Sequence, residues 1–520
     1  MANAAHEECW TCRRRRVQCD KCGIPCLKCQ NAGLDCLDKR PIRWVQGVAI
    51  RGKMQGRSFG GSPATTSTKP QHLKFVGKIS RYCGSCDLFD IKRLPSSKSF
   101  NPSVANMKGR TDGQTSLPNE MQDPIFKDLN PTSHCYILLM IRDSQENPFR
   151  QLIPLCLQHI SLQKAMLALA ARHFANTFQA FSTPAGGKFP GFHHANHTAL
   201  LFKHQAIEEI SFSLRNPDQS DVGITLASIF LLIILDLYES GNDSWETHLE
   251  GAKTFIASNR ALLDTKKANS DKIVTGVMEY ILKQIHMIEV LGATFSGRGS
   301  GWGPKSNLFN RPEKTEESLD QVFVGCPGIL ARGIGFLSAE RDIICRPEPI
   351  EAASVQAHRD YITSTLELIQ SFDSRHWAFS LSQPEGRPSC ENAIYTLSEA
   401  YRIGALIYGQ RLLRTLMQES PPLNFDLVDD LLSILGSLRS ALDFFKCALW
   451  PIFIAGLECS SGSQRAFLSE CLEKFWLETH CVNVINAAII LQDHWLQKDR
   501  GIWTNWIFGI GSSNRVWLLI

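Results

Sequence analysis

Six cysteines between positions 9 and 36 constrain this chain more than any other feature of its 520 residues. They follow the pattern Cys-x2-Cys-x6-Cys-x6-Cys-x2-Cys-x6-Cys, in which one three-cysteine template is used twice. A Cys-x2-Cys pair directs two thiolates at one point, and soft thiolates suit tetrahedral zinc. Each copy has one ligand too few for a closed site, so two zinc ions require two shared thiolates. The stretch predicts a binuclear zinc cluster with the ligands Cys9, Cys12, Cys19, Cys26, Cys29 and Cys36.

A disulfide scaffold is the alternative explanation for six cysteines in a short basic segment. The N-terminal residues MANAAHEE lack the apolar segment of a secretory signal, which argues against secretion. A seventh cysteine, Cys22, breaks the duplication and is interpreted as a spare thiol. A unit of this size buries too little apolar surface to fold alone, so bound zinc would supply its folding free energy.

Only the first copy of the template carries a cationic face. Arg13, Arg14, Arg15 and Arg16 follow its Cys-x2-Cys pair, whereas uncharged residues, Gln30 to Gly33, follow the second pair. We expect a short helix after each pair, the second stopping at Gly33. Arginine reads guanine through a bidentate fork in the major groove, so the first helix is a candidate reading element. Alternatively, the four arginines form a solvated face or a nuclear localisation signal.

The six-cysteine stretch resembles the fungal binuclear zinc-cluster DNA-binding domain throughout its spacing. The resemblance implies that Cys9 and Cys26 bridge the two ions. It assigns Cys9, Cys12, Cys19 and Cys26 to one zinc, and Cys9, Cys26, Cys29 and Cys36 to the other. It also implies that Arg15 and Arg16 contact a CGG-like triplet. The chain departs from the family pattern at Arg16, Gln18 and Pro25, which affects the expected triplet and not the cluster.

The charge distribution agrees with a DNA-binding head. Residues 1–57 hold 12 lysines and arginines and 5 acidic residues, a formal charge of +7, while the remainder carries −3. A basic head on a mildly acidic body is typical of a protein attracted to phosphates. The predicted DNA-contacting residues are Arg13, Arg14, Arg15, Arg16, Lys21, Arg40 and Arg43, and the predicted partner is double-stranded DNA.

The remaining chain predicts an all-α protein with three regions: the zinc-cluster domain at 1–40, a basic and Ser/Gly/Pro-rich linker at 41–128, and a large helical regulatory domain at 129–520. The linker is expected to be mostly disordered, and 37–57 is either a flexible linker or a backbone-tracking segment. The isolated pair Cys83 and Cys86 is interpreted as ordinary thiols. The apolar run from Val222 to Leu235 is too short to span a membrane and predicts a buried helix.

Apolar spacing predicts helices in the body at 153–174, 200–214, 222–238, 274–295, 353–372, 394–417, 427–442 and 467–495, and loops at 181–197, 240–245, 297–328 and 380–390. Five segments of this body, among them NPFRQLIPL at 147–155 and WPIFIAGLEC at 450–459, resemble a fungal-specific transcription factor domain. With the zinc cluster, this resemblance implies a nuclear, gene-specific regulator of RNA polymerase II transcription. Dimerisation and contact with co-regulators or the transcription machinery are further expectations.

Several clusters are candidate enzyme sites, because an all-helical enzyme with a tethered basic head is one alternative. His193, His194 and His197 could bind a metal, but they have no acidic partner at helical spacing. The acidic triplet Asp426, Asp429 and Asp430 fits a helix start, Gly297 to Lys305 fits a loop, and the aromatic residues near 443–455 fit core packing. We therefore predict that the protein is not an enzyme. A regulator acting only through protein contacts is the second alternative.

Overall fold

The fold was obtained as a computed structural model, which describes residues 9–15, 17–20, 26–32, 36, 47–48, 58–59, 148–182, 190–216, 221–241, 244–260, 263, 272–295, 325–346, 351–381, 388–418, 425–502, 505–510 and 517–520. The chain divides into two compact units, Met1–His72 and Leu73–Ile520. The prediction of an all-α protein with a small N-terminal cluster is confirmed.

The N-terminal unit contains two short helices, α1 (Trp10–Arg15) and α2 (Leu27–Asn31). Each begins at the residue after the first cysteine of its template, so the helices start inside the Cys-x2-Cys pairs rather than after them. Helix α2 ends at Asn31, two residues before the predicted stop. A two-residue antiparallel pair follows, in which β1 (Gly47–Val48) lies beside β2 (Ser58–Phe59).

The described residues of the second unit are almost entirely helical. In chain order its helices are α3 (Pro148–Cys156), α4 (Ile160–Asn176), α5 (Pro190–Arg215), α6 (Val222–Glu239), α7 (Ser244–Ser258), α8 (Lys272–Ala293), α9 (Gly328–Ile344), α10 (Ala352–Gln370), α11 (Ser374–Leu381), α12 (Pro388–Leu416), α13 (Phe425–Leu438), α14 (Leu442–Phe445), α15 (Leu449–Glu458), α16 (Gly462–Thr479) and α17 (Val482–Asp499), followed by a 3-10 turn, Trp506–Phe508.

Helix α6 is buried along almost its whole length. Every residue from Val222 to Tyr238 is buried, so the helix can be apolar on all sides. By length and composition it could cross a membrane, but 94% of it lies inside the protein, which confirms the interpretation as a core helix. The Asp221 carboxylate caps its start by accepting from the Gly223 and Ile224 N–H groups over 2.7 and 3.2 Å. Gly241, with a φ of 66°, ends it by donating to the Asp236 carbonyl over 2.8 Å.

Several predicted boundaries were wrong, of which three matter most for the architecture. The helix predicted at 153–174 is two helices, α3 and α4, separated at residues 157–159. The helix predicted at 467–495 is also two, because His480 adopts a left-handed conformation, with a φ of 49°, that ends α16. The loop predicted at 181–197 is wrong for its second half, because α5 begins at Pro190, and proline is well tolerated in a first helical turn.

The aromatic residues near 443–455 belong to the core, as packing predicts. Phe445, Trp450 and Phe453 are fully buried in the large apolar cluster. The Trp450 ring stacks on Tyr401 of α12 with the ring centroids 5.8 Å apart, and Phe453 meets Phe295 edge-on at 5.1 Å. These contacts join helices that are distant in the sequence.

A cluster of charged side chains is buried where α4, α5, α6 and α7 meet. The Lys203 ammonium donates to Asp236 over 2.7 Å and to Glu239 over 2.6 Å. The other Asp236 oxygen lies 2.7 Å from His248 Nδ1, and Arg172 pairs with Glu239 over 3.2 Å. Because the carboxylate of Asp236 is only 1% exposed, the Lys203 ammonium and the His248 ring compensate for the solvation that it loses.

Side-chain amides connect parts of this unit that are far apart in the sequence. The Asn176 amide donates to the carbonyl of Tyr238 over 2.8 Å and to that of His480 over 2.9 Å. The Asn486 amide donates to the Ser240 carbonyl over 2.6 Å, and the Leu518 N–H donates to the Gly241 carbonyl over 2.8 Å. The corner after α6 is thereby held by Asn486 and Leu518, which lie more than 240 positions later in the sequence.

Candidate metal centre and nucleic-acid interface

The structure brings the six predicted cysteines together in the N-terminal unit. Their sulfurs form two sets of four within which all atoms lie within 4.8 Å of one another. One set is Cys9, Cys12, Cys19 and Cys26, and the other is Cys9, Cys26, Cys29 and Cys36. The two sets share Cys9 and Cys26. Five of the six cysteines are buried, and Cys36 is half-buried.

The sulfur spacing fits tetrahedral zinc. With Zn–S bonds of about 2.3 Å, the sulfurs of a tetrahedral site are about 3.8 Å apart. The Sγ atoms of Cys9 and Cys26 are 3.7 Å apart, and Cys26 lies 3.6 Å from Cys12. Cys9 and Cys29 are separated by 3.8 Å in the second set. The donor set is therefore compatible with zinc, while the assignment of each ligand remains a prediction.

The two shared thiols differ from their neighbours in acidity. Burial raises thiol pKa values, and it raises the pKa of Cys12 and brings that of Cys29 to about 12. Burial acts on Cys9 and Cys26 too, yet their pKa values lie below the usual thiol value. The cause is hydrogen bonding to their sulfurs, foremost from the backbone N–H groups of Cys12 and Cys29, three residues further on. The same local turn in each copy thus favours the thiolate form at the shared positions.

Asp20 was not recognised from the sequence, although it joins the two copies. Its Oδ2 accepts a hydrogen bond of 3.2 Å from the backbone N–H of Lys28, in the first turn of α2. The carboxylate follows Cys19 directly and lies at the end of the first template. The sequence could have indicated this role, because Asp20 lies between a cysteine and the start of the next helix. The first N–H groups of a helix lack partners within the helix and require an acceptor.

Only part of the predicted DNA-contacting set lies among the described residues. Arg15 is exposed at the end of α1, in the same helix as the buried Cys12. The backbones of Arg13 and Arg14 lie in that helix. Gln18, which differs from the family pattern, is exposed. Arg16, Lys21, Arg40 and Arg43 lie outside the described residues, as do Cys22 and Pro25. The geometry therefore places one predicted base-reading arginine in solvent, next to the cysteine cluster.

Two further candidate enzyme clusters, the acidic triplet and the three histidines, lie among the described residues. Asp426, Asp429 and Asp430 are exposed in the first turns of α13, as a helix start predicts, and Asp429 accepts from Gln464 over 2.8 Å. The pair Cys83 and Cys86 and the segment 297–305 lie outside the described residues. The three histidines near 195 lie on a helix and not in a loop.

A cluster of six thiols, five of them buried, lies beside an exposed arginine on a chain with a large helical body, and this combination is typical of zinc-binding regulators of transcription. The chain belongs to the family of the fungal specific transcription factor domain, which matches residues 132–511. Residues 8–44 match the fungal Zn(2)-Cys(6) binuclear cluster domain, which implies binding of zinc and of DNA. Both matches are to transcription-factor domains and not to an enzyme family.

The chain is also similar to the acriflavine sensitivity control protein acr-2 of Neurospora crassa. The two are 23% identical, and the alignment covers 94% of this chain and 92% of that protein. The alignment therefore extends over most of both chains. No solved structure matches the chain.

Proposed function

We propose that the protein is a sequence-specific, DNA-binding regulator of RNA polymerase II transcription that acts in the nucleus. The observation that carries the proposal is the exposed Arg15 on a helix that also contributes the buried Cys12 to the cysteine cluster. A guanidinium fixed to a rigid cluster loses little freedom on binding, and its fork matches guanine O6 and N7 in the major groove.

In this proposal Cys9, Cys12, Cys19, Cys26, Cys29 and Cys36 hold two zinc ions, with Cys9 and Cys26 shared. Bound zinc would supply the folding free energy of the head. The chain's own residues then orient the reading helix, and the Asp20 carboxylate ties the second copy to the first. Arg15 and Arg16 read a CGG-like triplet, while Arg13, Arg14, Lys21, Arg40 and Arg43 hold phosphates.

The regions of the chain have separate roles in this proposal. Residues 1–40 bind DNA, and residues 41–128 connect this domain to the helical body. Residues 129–520 regulate transcription through contacts with co-regulators, the transcription machinery or a second copy of the chain. The similarity to a control protein over most of both chains supports a regulatory role for the whole molecule. The mixture of buried apolar helices and exposed polar faces in the body suits an interaction domain.

Selection of bound sequences from random oligonucleotides, using the zinc-loaded full-length chain, tests the proposal. We expect enrichment of a CGG-like triplet, present once or twice depending on the oligomeric state. Arg15→Ala should weaken binding to the selected site by about 1–3 kcal/mol and relax the preference at one base. Arg15→Lys keeps the charge but removes the fork, so it should lose selectivity more than affinity.

Lys28→Ala is the matched control, because Lys28 is an exposed cation on the helix of the second copy. It should leave the selected sequence unchanged and at most weaken binding to all sequences alike. If the wild-type chain enriches no sequence, or if Arg15→Ala retains wild-type affinity and selectivity, the base-reading proposal is wrong. A chain that binds protein partners but no DNA would favour the interaction-only alternative.

A further inference from the structure

Three histidines lie on one exposed side of the first turns of α5. The helix begins at Pro190, so His193 and His197 are four residues apart on continuous helix, and His194 lies beside them. All three residues are exposed to solvent. Side chains four residues apart on a helix are neighbours, with Cβ atoms about 5–6 Å apart. The helix thus holds two imidazoles side by side, which the loop predicted from sequence would not do.

The opposite side of the same turns is firmly packed. Ala195 is 1% exposed, and Ala199 is completely buried. Between the histidines, Asn196 accepts a hydrogen bond of 2.5 Å from the Arg172 guanidinium of α4. At Gly191 a side chain would come within 3.1 Å of the Phe178 ring, so the backbone closely approaches the turn that follows α4. These contacts fix the rotation of the helix and keep the histidines on its solvent side.

We propose that His193 and His197 form a surface site for a late first-row divalent metal ion such as Ni²⁺, Cu²⁺ or Zn²⁺. Imidazole nitrogen is a preferred ligand for these ions, and two histidines at helical i, i+4 spacing can bind one ion together. Among the described residues, the groups of three or more ligand atoms within 4.8 Å of one another are the two cysteine sets. The histidine pair is therefore a two-ligand site, and its remaining positions are open to water or to a ligand from a partner.

The site is separate from the cysteine cluster, and it has a structural connection to the body. Asn196, between the two histidines, binds Arg172, and Arg172 also pairs with Glu239 at the end of α6. An ion bound by His193 and His197 would stabilise the helical turn that contains Asn196. His194 is assigned no ligand role, because the i, i+4 spacing of two metal-binding histidines on a helix is that of His193 and His197.

Titration of the zinc-loaded full-length chain with Ni²⁺ tests the site, with zinc retention in the head monitored in parallel. We expect one Ni²⁺ per chain to bind the wild type. His193→Ala and His197→Ala should each weaken this binding by about tenfold or more, which corresponds to at least about 1.4 kcal/mol. His194→Ala should bind Ni²⁺ within a few-fold of the wild type. All three substitutions are at exposed helix positions, where alanine is well tolerated, and unchanged thermal unfolding verifies the fold.

His204→Ala is the matched control. His204 is exposed on the same helix and has no histidine four residues away, so its removal should not change Ni²⁺ binding. The site is disproved if His193→Ala binds Ni²⁺ as tightly as the wild type, or if His204→Ala weakens binding as much as His193→Ala.

Hydrogen exchange provides a second measurement that depends on helical geometry. An ion held by both histidines stabilises the turn between them against opening. At Ni²⁺ concentrations of about 100 times the Kd, amide exchange between residues 193 and 198 should slow by up to about 100-fold. Exchange in α13, which is remote in the sequence, should not change. Tight Ni²⁺ binding without any slowing of exchange in α5 would contradict the proposed pair.

Discussion

Arg411 and Glu458 form a bidentate ion pair that is buried between α12 and α15. Arg411 Nε donates to Glu458 Oε1 over 2.6 Å, its Nη2 donates to Oε2, and both side chains are at most 6% exposed. The Trp506 indole donates to the same Oε1 over 2.6 Å. One carboxylate therefore joins α12, α15 and the 3-10 turn that follows α17.

Removal of the carboxylate alone should be strongly destabilising. Glu458→Ala leaves the Arg411 charge buried without its partner, which we expect to lower the free energy of unfolding by about 3–5 kcal/mol. Glu470→Ala is the control, because Glu470 also pairs with an arginine, Arg439, but its side chain is 63% exposed. That loss should stay within about 1 kcal/mol in urea unfolding of the full-length chain.

The double variant Arg411→Met with Glu458→Met tests the cause of that loss. Without either charge, no desolvated ion remains, so the double variant should be more stable than Glu458→Ala. Equal stability of the two variants would show that the loss reflects packing around Trp506 rather than an uncompensated charge.

The buried charge cluster of α6 predicts a pH dependence of stability. Burial would raise the pKa of Asp236, but Lys203 and His248 hold it below its usual value. Its stabilisation is therefore complete above the ordinary carboxyl pKa of about 3.9, and it is lost as the pH falls through the lower folded value. The carboxylates of Asp236 and Glu239 raise the pKa of Lys203 against the opposing effect of burial, so its contribution is lost only at strongly alkaline pH.

Asp236→Asn should consequently be less stable than the wild type at pH 7 and should lose less stability on acidification. Urea unfolding at several pH values measures the difference between the two proteins, in which the common contribution of the zinc head cancels. Asp443→Asn, at a carboxylate that is 70% exposed, should follow the wild-type curve. If the free energy of unfolding falls equally with decreasing pH in the wild type and in Asp236→Asn, Asp236 does not control the loss of stability at acid pH.

Helix α8 contains two glycines at which substitution by alanine should have opposite effects on stability. A Cβ at Gly292 would lie 2.5 Å from the buried Trp245 ring, whereas a Cβ at Gly276 would meet nothing within 4 Å. Gly292→Ala should lower stability by about 1–3 kcal/mol through overpacking. Gly276→Ala should raise it by about 0.5–1 kcal/mol, because alanine loses less backbone entropy in a helix. Thermal unfolding distinguishes them, and a stabilised Gly292→Ala variant would refute the close contact.

Removal of zinc should affect the two units differently. A chelator is expected to release two zinc ions per chain and to remove hydrogen-exchange protection in residues 9–36, while protection in the helical body persists. Cys26→Ser should lose both ions because the two sets share that sulfur. Cys22→Ser, the spare-thiol control, should retain two ions in a colorimetric zinc assay. Retention of zinc by Cys26→Ser would contradict the shared cluster.

The sequence was informative where chemistry depends on local spacing. The six cysteines predicted a binuclear cluster, the family resemblance implied its two sulfur sets, and the continuous apolar run predicted the buried helix α6, because each signal is contained in a short segment. The break at His480 depends on a left-handed residue whose carbonyl receives Asn176, 304 positions away in the sequence. The start of α5 depends on packing of Gly191 against Phe178. Such tertiary contacts override local patterns, so neither boundary was predictable.

The hydrogen bonds of Asn176 have a consequence for biosynthesis. Its amide bridges the carbonyls of Tyr238 and His480. At ribosomal rates of about 5–20 residues per second, residue 480 follows residue 176 by about 15–60 seconds. The α4–α6 corner therefore remains incomplete for most of translation, with its apolar surfaces available to chaperones. A regulator assembled in this way completes its helical unit only after residue 480 and the segments packed around it have been synthesised.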